Sequence, residues 1–239
     1  MEQNKTGKYF KYAIGEIMLV VIGILIALSI NNWNEERKLH LADIEFLKNL
    51  KIELSLDTIA LSRKKMSFLE INNDLNKTLQ LFNNSATISP TERELISNAF
   101  GDIEVLTPTS KNVHRNDISI ANGSLMRIDN SLNQKYLTYL EYTVSNNAII
   151  AKLGESLQLI SIHDVSQKFD LTHENSYLKY SFNYDEIKED RLIKNAIAKS
   201  LSYRRFSISW MESQIEMAIT MLYTIDEILE NKNKNSNHD

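Results

Sequence analysis

Hydrophobic and polar positions divide the chain into one uninterrupted apolar run and a longer part in which apolar residues recur at helical spacing. No charged residue lies between Glu16 and Glu35. At a rise of about 1.5 Å per residue, Ile14 to Trp33 covers roughly 30 Å, the thickness of the hydrocarbon core of a bilayer. Lysines precede the run and Trp33 with charged residues follows it, which is typical of membrane interfaces. The pattern predicts a transmembrane helix over residues 13–33.

Two other interpretations of this run stay open. Residues 17–28 have the length of the apolar region of a secretory signal peptide, and Ala27 and Ser29 are small residues of the kind that precede a cleavage site. The run is alternatively a buried core helix of a soluble protein. Hydrophobicity on all sides, interfacial residues at both ends and the lack of a helix breaker favour a retained anchor.

Residues 35–84 contain neither glycine nor proline and predict one long helix. Every seventh position forms a mainly apolar row, called the inner row below: His40, Leu47, Leu54, Leu61, Phe68, Leu75 and Phe82. Polar residues interrupt the second row that a two-stranded coiled coil requires. The pattern therefore predicts a stalk that continues from the membrane helix and packs along one side of a bundle.

Turn and capping signals divide the remainder into shorter elements. Ser89-Pro90-Thr91-Glu92 has the pattern of a capping box with proline at the first helical position. The predicted elements are a helix from residue 90 to Gly101, one from Ser110 to Asn122, one over 131–161 capped by Asp129 or Asn130, an irregular or short-stranded stretch over 163–183, and a long helix over 184–230. The fold class is mostly α: one N-terminal transmembrane helix continuing into a long helix, packed with further helices as an extended bundle.

The predicted domain order follows from these elements. We expect a short cytoplasmic tail over residues 1–12, the transmembrane helix over 13–33, a helical extracytoplasmic domain over 34–230, and a disordered polar tail over 231–239. The positive-inside bias is slight, because basic residues lie on both sides of the span. The orientation rests on the usual layout of a signal anchor, a short lysine-bearing tail before a long domain.

The N-terminal part of the chain contains three motifs, Tyr12–Ile17, Gly23–Leu28 and Asn31–Glu35, and a weaker one covers Asn122–Leu132. Together they resemble an uncharacterised family of single-pass membrane proteins of Bacteroidetes. The first three fix polar as well as apolar positions, which makes the likeness specific. The family has no established activity. The resemblance therefore implies a localisation, the bacterial inner membrane with the N-terminus cytoplasmic and the main domain periplasmic, and no chemistry.

Composition excludes several functions. A net charge of −4 without a basic excess argues against nucleic acid as a partner. The absence of cysteine excludes disulfides, thiolate metal sites and thiol catalysis. The five histidines lack metal-ligand spacing, and no phosphate loop or nucleophile motif is present. We expect no enzyme, no cofactor and no metal site.

Contacts with membrane and partner are predicted along the first helix. Glu16 lies at the rim of the span, where it reaches the interface or pairs with a cation of another membrane helix. Gly23 and Ala27 are small residues four apart, a spacing that permits close approach of two helices. We expect the transmembrane helix and the stalk to contact a second helix along residues 23–50. That helix belongs to a second copy of the chain, in a weak homodimer, or to another envelope protein. The predicted contact residues are Glu16, Gly23, Ala27, Trp33, Ile44 and Leu47.

A possible ligand pocket comprises Tyr136, Tyr203, Arg204 and Trp210. Aromatic residues at helical spacing belong to a core more often than to a ligand site. An arginine beside them, however, carries a positive charge that can bind an anionic ligand. The leading interpretation is a membrane-anchored helical interaction or scaffold protein of the bacterial envelope, without catalytic activity. The alternative is an extracytoplasmic small-ligand-binding or sensor module that signals through a partner protein.

Overall fold

The computed structural model describes residues 5–104, 123–166, 168–174 and 177–236, with the backbone alone for 5–13, 102, 104, 156–166, 171–174, 177–179, 233, 235 and 236. Its elements are the helices α1 (Lys5–Asn84), α2 (Pro90–Glu104), α3 (Ser124–Ile128), α4 (Asn130–Ser166), α5 (Tyr184–Ile187) and α6 (Arg191–Ser236), and the strands β1 (Asp170–Glu174) and β2 (Tyr177–Ser181). The predicted fold class, mostly α with a long N-terminal helix packed against further helices, is confirmed.

The chain divides into two compact units. One comprises Met1–Asn49 and Asn231–Asp239, and the other comprises Leu50–Glu230. In the first unit the Lys232 ammonium lies 3.4 Å from the Asp43 carboxylate. This pair gives the end of α6 a partner, and the helix continues to Ser236 where the sequence predicted a disordered tail.

The inner row is the buried face of α1. Its members from Leu47 to Phe82 are each at most 7% exposed, whereas His40 is half-buried. The helix continues without a break through the asparagines at 72 and 73. The row therefore keeps its seven-residue phase over the whole bundle part of α1, as predicted.

Three helices of the second unit pack side by side. Lys51 of α1 forms an ion pair with Asp226 of α6, and Lys135 of α4 donates to Thr224 of α6 at 3.0 Å. Further along α1, Lys65 pairs with Glu212, which precedes Asp226 in α6. Further along α4, Thr143 accepts from Gln214, which precedes Thr224 in α6. Because later residues of α1 and α4 contact earlier residues of α6, α6 runs antiparallel to both. The apolar cluster between them consists of Leu61, Phe68, Ile150, Tyr203, Ile208, Trp210 and Met211.

A second cluster joins the end of α1 to α2 and to a β-hairpin. Strands β1 and β2 pair antiparallel, with Asp170 opposite Ser181, within the stretch predicted to hold a strand or packed loop. The Ser97 hydroxyl of α2 accepts from the Tyr180 backbone N–H at 3.0 Å, which fixes the hairpin on α2. The cluster includes Leu75, Phe82, Ile96, Phe100, Phe169, Tyr180, Phe182 and Ile197.

Two helix starts were predicted correctly from their caps. The Glu92 carboxylate accepts from the Ser89 N–H at 2.7 Å, and the Ser89 hydroxyl accepts from the Glu92 N–H at 3.3 Å, which is a capping box. Asp129 accepts from the Leu132 N–H at 2.7 Å at the start of α4. Because each cap involves residues within one turn of the helix start, the sequence alone was sufficient to predict both starts.

Two predicted helix boundaries were wrong. α2 passes through Gly101 to Glu104, and a Cβ at Gly101 would lie 3.5 Å from the Tyr180 ring, so this glycine allows close packing instead of ending the helix. The last long helix begins at Arg191, because Asp190 accepts from the Leu192 N–H and separates it from α5. The predicted helix from Ser110 to Asn122 lies outside the described residues.

Gly154 offers a test of the packing between α4 and α6. A Cβ built at Gly154 lies 3.7 Å from the Tyr203 hydroxyl, an ordinary van der Waals distance. Gly154→Ala should therefore raise the free energy of unfolding by about 0.5–1 kcal/mol through helix propensity alone. Urea denaturation measures this, and a destabilised variant would show that α4 and α6 lie closer than described.

Candidate functional site

The apolar run of α1 is exposed along its whole described length. Every large apolar residue from Ile14 to Ile30 is 45–74% exposed. None of the run is buried by the described part of the chain, and it is long and apolar enough to cross a membrane. The described part of the chain therefore gives no support to the interpretation as a buried core helix, and the signal-peptide alternative stays open.

The end of the run has the features of a membrane interface. Trp33 is exposed, and the guanidinium of Arg37 lies 5.9 Å from the centre of its ring. One turn on, Lys38 pairs with Glu35 at 3.0 Å. A tryptophan followed by paired charges is suited to the headgroup region, where an amphipathic ring and hydrated side chains are both accommodated.

The other predicted contact residues of the run and the stalk fall into two groups. Glu16, Gly23 and Ala27 are exposed, and a Cβ added at Gly23 meets no atom of the described residues within 4 Å. Ile44 is half-buried, and Leu47 is fully buried. Leu47 is therefore not available to a partner, because as a member of the inner row it is already covered within the molecule.

A second apolar row lies on the opposite side of α1 from the inner row. We call it the outer row: Ile52, Leu56, Ile59 and Met66, which are 48–61% exposed. Its members lie roughly 160–200° around the helix from their nearest neighbours in the inner row. Their spacing of four, three and seven residues is that of one helix face that packs against another helix.

Charged residues mark the middle and the far end of the outer row. Arg63 follows Ile59 by one turn on the same face and is exposed, and Glu70 follows Met66 in the same way. A helix docked on this row would meet an arginine between two apolar residues. That arrangement favours a partner helix with a carboxylate at the matching position over one with a basic residue.

The structure does not bring the four predicted pocket residues together as a pocket. Tyr136, Tyr203, Arg204 and Trp210 are all buried. Tyr136 stacks beside Tyr139 with their ring centres 6.3 Å apart, whereas Tyr203 and Trp210 belong to the apolar cluster around Phe68. These side chains form core packing at two levels of the bundle.

Arg204 is held inside that core. Its Nη1 donates to the Ser200 hydroxyl one turn earlier, and its guanidinium carbon lies 5.7 Å from the centre of the Phe68 ring. Lys64 lies over the same ring at 5.7 Å, and burial lowers the pKa of its ammonium. The phenyl ring thus stabilises two cations through its electron-rich faces, which is a structural role.

A polar layer connects the three long helices of the second unit near the ion pair of Lys51 and Asp226. The Tyr139 hydroxyl of α4 donates to the Asp57 carboxylate of α1 at 3.1 Å. The Gln214 amide of α6 donates to the Thr143 hydroxyl of α4 at 2.5 Å. Burial, and next the charge of Asp57, raise the pKa of Tyr139 far above its usual range, so it remains a donor. The layer fixes the register of the helices.

Two grooves open on the surface of the second unit. An apolar groove of about 490 Å³ lies along α6 and α4, lined by Leu153, Asn195, Ala198, Lys199, Ser202, Tyr203 and Phe206. A polar groove of about 450 Å³ lies between α1 and α6, lined by Leu69, Asn72, Asn73, Asn76, Arg205, Ile208, Ser209 and Glu212. Only Tyr203 of the predicted pocket residues lines either groove.

Taken together, these features define a helical bundle protein whose first helix has an exposed apolar run of membrane-spanning length. The chain belongs to DUF6090, a family of unknown function, whose signature matches residues 16–143. The match contains the apolar run from Glu16 onward and both rows of α1, whereas α6 lies outside it. No curated protein and no solved structure matches the chain.

The outer row is the feature that the sequence prediction missed. Its spacing is visible in the sequence, but spacing alone does not show which of two apolar rows faces the core. Only the burial of the inner row shows that the opposite face remains exposed.

Proposed function

We propose that the protein is a membrane-anchored helical scaffold of the bacterial inner membrane, with its N-terminus in the cytoplasm and its bundle in the periplasm. The apolar run anchors the chain, and the bundle presents the outer row to a helix of another envelope protein. The proposed role requires no catalytic activity and no cofactor.

The outer row is the observation on which this proposal rests. Burying a fully exposed Ile, Leu or Met stabilises a protein by about 1.5–3 kcal/mol, so four aligned and half-exposed residues offer several kcal/mol to a partner. Scattered apolar side chains on a surface need no explanation, but a row at helical spacing has the pattern of a helix-docking surface. None of these residues belongs to the two apolar clusters that the described residues form.

The anchor supports the same role in a second way. Two proteins inserted in one membrane meet by diffusion in two dimensions, which raises the effective concentration of a partner surface. A weak helix–helix contact along the outer row then suffices for association. Lipid is therefore the first partner and an envelope protein with an exposed apolar helix is the second.

Glutamates placed in the outer row test the scaffold proposal. Leu56→Glu with Ile59→Glu should abolish a larger native complex, because two carboxylates would lose their hydration on docking. The fold should persist, since both residues are exposed. The complex is measured by native electrophoresis and sedimentation of digitonin-solubilised membranes.

The matched control is Val144→Glu, because Val144 is 69% exposed on α4 and lies outside the outer row. The control should retain the complex. If the control loses the complex as fully as the double variant does, or if the double variant retains it, the outer row is not the docking surface.

A second candidate function is that of an extracytoplasmic ligand-binding or sensor module. The polar groove favours it, because asparagine, serine and arginine side chains converge there over a volume in the range of small-molecule sites. The groove replaces the predicted pocket, whose side chains are buried in the core. Thermal unfolding in the presence of metabolite mixtures tests this function, since a ligand that binds the folded state raises the midpoint.

A further inference from the structure

The polar groove lies between about two turns of α1 and about two turns of α6. Asn72, Asn73 and Asn76 of α1 form one wall, and Arg205, Ser209 and Glu212 of α6 form the opposite wall. Leu69 and Ile208 are the apolar part of its lining. The volume of about 450 Å³ lies within the 300–1,000 Å³ typical of sites for small ligands.

Asn72 is the residue of this groove whose burial is least expected. Its side chain is 8% exposed, and its Oδ1 has no hydrogen-bond partner among the described residues. Leaving a buried polar atom unsatisfied costs about 1–3 kcal/mol, and leucine at this position of α1 would avoid that cost. A buried amide that lines a groove without a partner is explained if a ligand supplies the partner.

The neighbouring amides have hydrogen-bonding capacity on the same wall. Asn76 donates through Nδ2 to the backbone carbonyl of Asn72 at 2.7 Å, which leaves its amide oxygen as an acceptor. Asn73 donates to Asp74 at 3.3 Å and likewise retains acceptor capacity. With the Ser209 hydroxyl opposite, the groove contains both donors and acceptors, as required by a ligand with several hydroxyl groups.

The charges of the groove select an anionic ligand. Glu212 lies 3.5 Å from the Lys65 ammonium, so its carboxylate is already balanced within the protein. Arg205 lines the groove one turn before Ser209, and its planar guanidinium matches a carboxylate through two parallel hydrogen bonds. Among the described residues that line the groove, the positive charge of Arg205 therefore remains for a ligand.

We propose that this groove binds a small polyhydroxylated carboxylate of the sugar-acid class, with its carboxylate on Arg205 and its hydroxyl groups on Asn72, Asn76 and Ser209. The proposal rests on the second candidate function and is independent of the outer row. Amides and hydroxyls recognise the sugar hydroxyls, while Leu69 and Ile208 contact the carbon face of the ring.

The test is isothermal titration calorimetry of the full chain in detergent micelles with glucuronate. Glucose, which lacks the carboxylate, and acetate, which lacks the hydroxyls, should bind at least tenfold more weakly. Arg205→Gln should weaken glucuronate binding at least tenfold. The control Arg191→Gln, at an exposed arginine outside the groove, should leave the affinity unchanged.

Asn72→Leu separates binding from folding. Removing a buried polar group that has an unsatisfied atom should leave the thermal midpoint of the free protein unchanged or raise it, while glucuronate binding is lost. A lowered midpoint would show that Asn72 is a structural residue and would overturn the assignment.

Other binding results would contradict particular parts of the proposal. Equal affinity for glucose and glucuronate would overturn the role of Arg205, and the absence of glucuronate binding would overturn the sugar-acid class. If a metabolite of another class raises the thermal midpoint and Arg205→Gln abolishes that shift, the ligand-binding function stands and the sugar-acid assignment fails.

Discussion

Replacing Ile22 and Leu25 by lysine is expected to release the protein from membranes. Both residues lie in the middle of the exposed apolar run. On insertion scales each exchange of an aliphatic residue for lysine at a helix centre costs about 3–4 kcal/mol, so the pair costs about 6–8 kcal/mol. Alkaline carbonate extraction followed by flotation measures the fraction of protein that remains in the membrane.

The same charges placed outside the run provide the control. Ile52→Lys with Leu56→Lys changes two equally exposed aliphatic residues of α1 beyond the span and should leave membrane attachment intact. Retention of the Ile22 and Leu25 double variant in membranes would show that the run is not the anchor. A mature protein that begins near Ile30 by mass spectrometry would establish a cleaved signal peptide instead.

Leu75→Ala is expected to lower the free energy of unfolding by about 2–5 kcal/mol. Leu75 belongs to the inner row, is fully buried and is part of the cluster that joins α1 to α2 and the hairpin. The cost combines the lost transfer free energy of the side chain with a cavity that well-packed neighbours do not fill. Such a loss is a large fraction of the stability of a typical domain.

Leu69→Ala is the matched control for this loss. It makes the same chemical change on the same helix, but Leu69 is 49% exposed. Its effect should stay within about 0.5–1 kcal/mol, as for surface substitutions in general. Urea denaturation in a Trp33→Phe background, in which Trp210 is the remaining tryptophan of the core, reports on the bundle. Equal losses for both variants would mean that the two sides of α1 are equally buried.

Local patterns predicted most of the helical elements. The inner row, the capping box at Ser89 and the cap at Asp129 depend on residues within one or two turns of each other, and the structure confirms all three. Helical periodicity and capping are properties of short stretches, so a single sequence contains the information that they require.

Features that depend on distant residues were not predicted. Gly101 was taken as a helix end, but it lies under the Tyr180 ring from a hairpin about eighty residues later. The end of α6 was taken as disordered, but Lys232 pairs with Asp43. In both cases a contact between residues far apart in the sequence overrides the structure that the local residues prefer.

The candidate sites show the same limit. Tyr136 and Trp210 were placed in one pocket because both lie in aromatic stripes, yet they pack at different levels of the bundle. Asn72 is a polar residue of a long helix by its sequence, but its unsatisfied oxygen and its position in the polar groove depend on the packing of α6 against α1. A groove between two helices has no signature in either helix alone.

Cysteine crosslinking in spheroplasts is the most direct test of the central claim, that α1 anchors the chain and docks a partner through its outer row outside the cytoplasm. The chain has no native cysteine, so single cysteines at Leu56, Ile59, Val144 and Tyr223 are unambiguous and all four positions are exposed. With a membrane-impermeant reagent that carries a maleimide and a photoreactive diazirine, positions 56 and 59 should form a defined adduct after irradiation, because the carbene from the diazirine inserts into any neighbouring side chain. Positions 144 and 223 should be modified without forming one. Equal adducts at all four positions, or none at 56 and 59 although both are modified, would contradict the docking surface. No modification at any position before lysis would contradict the orientation.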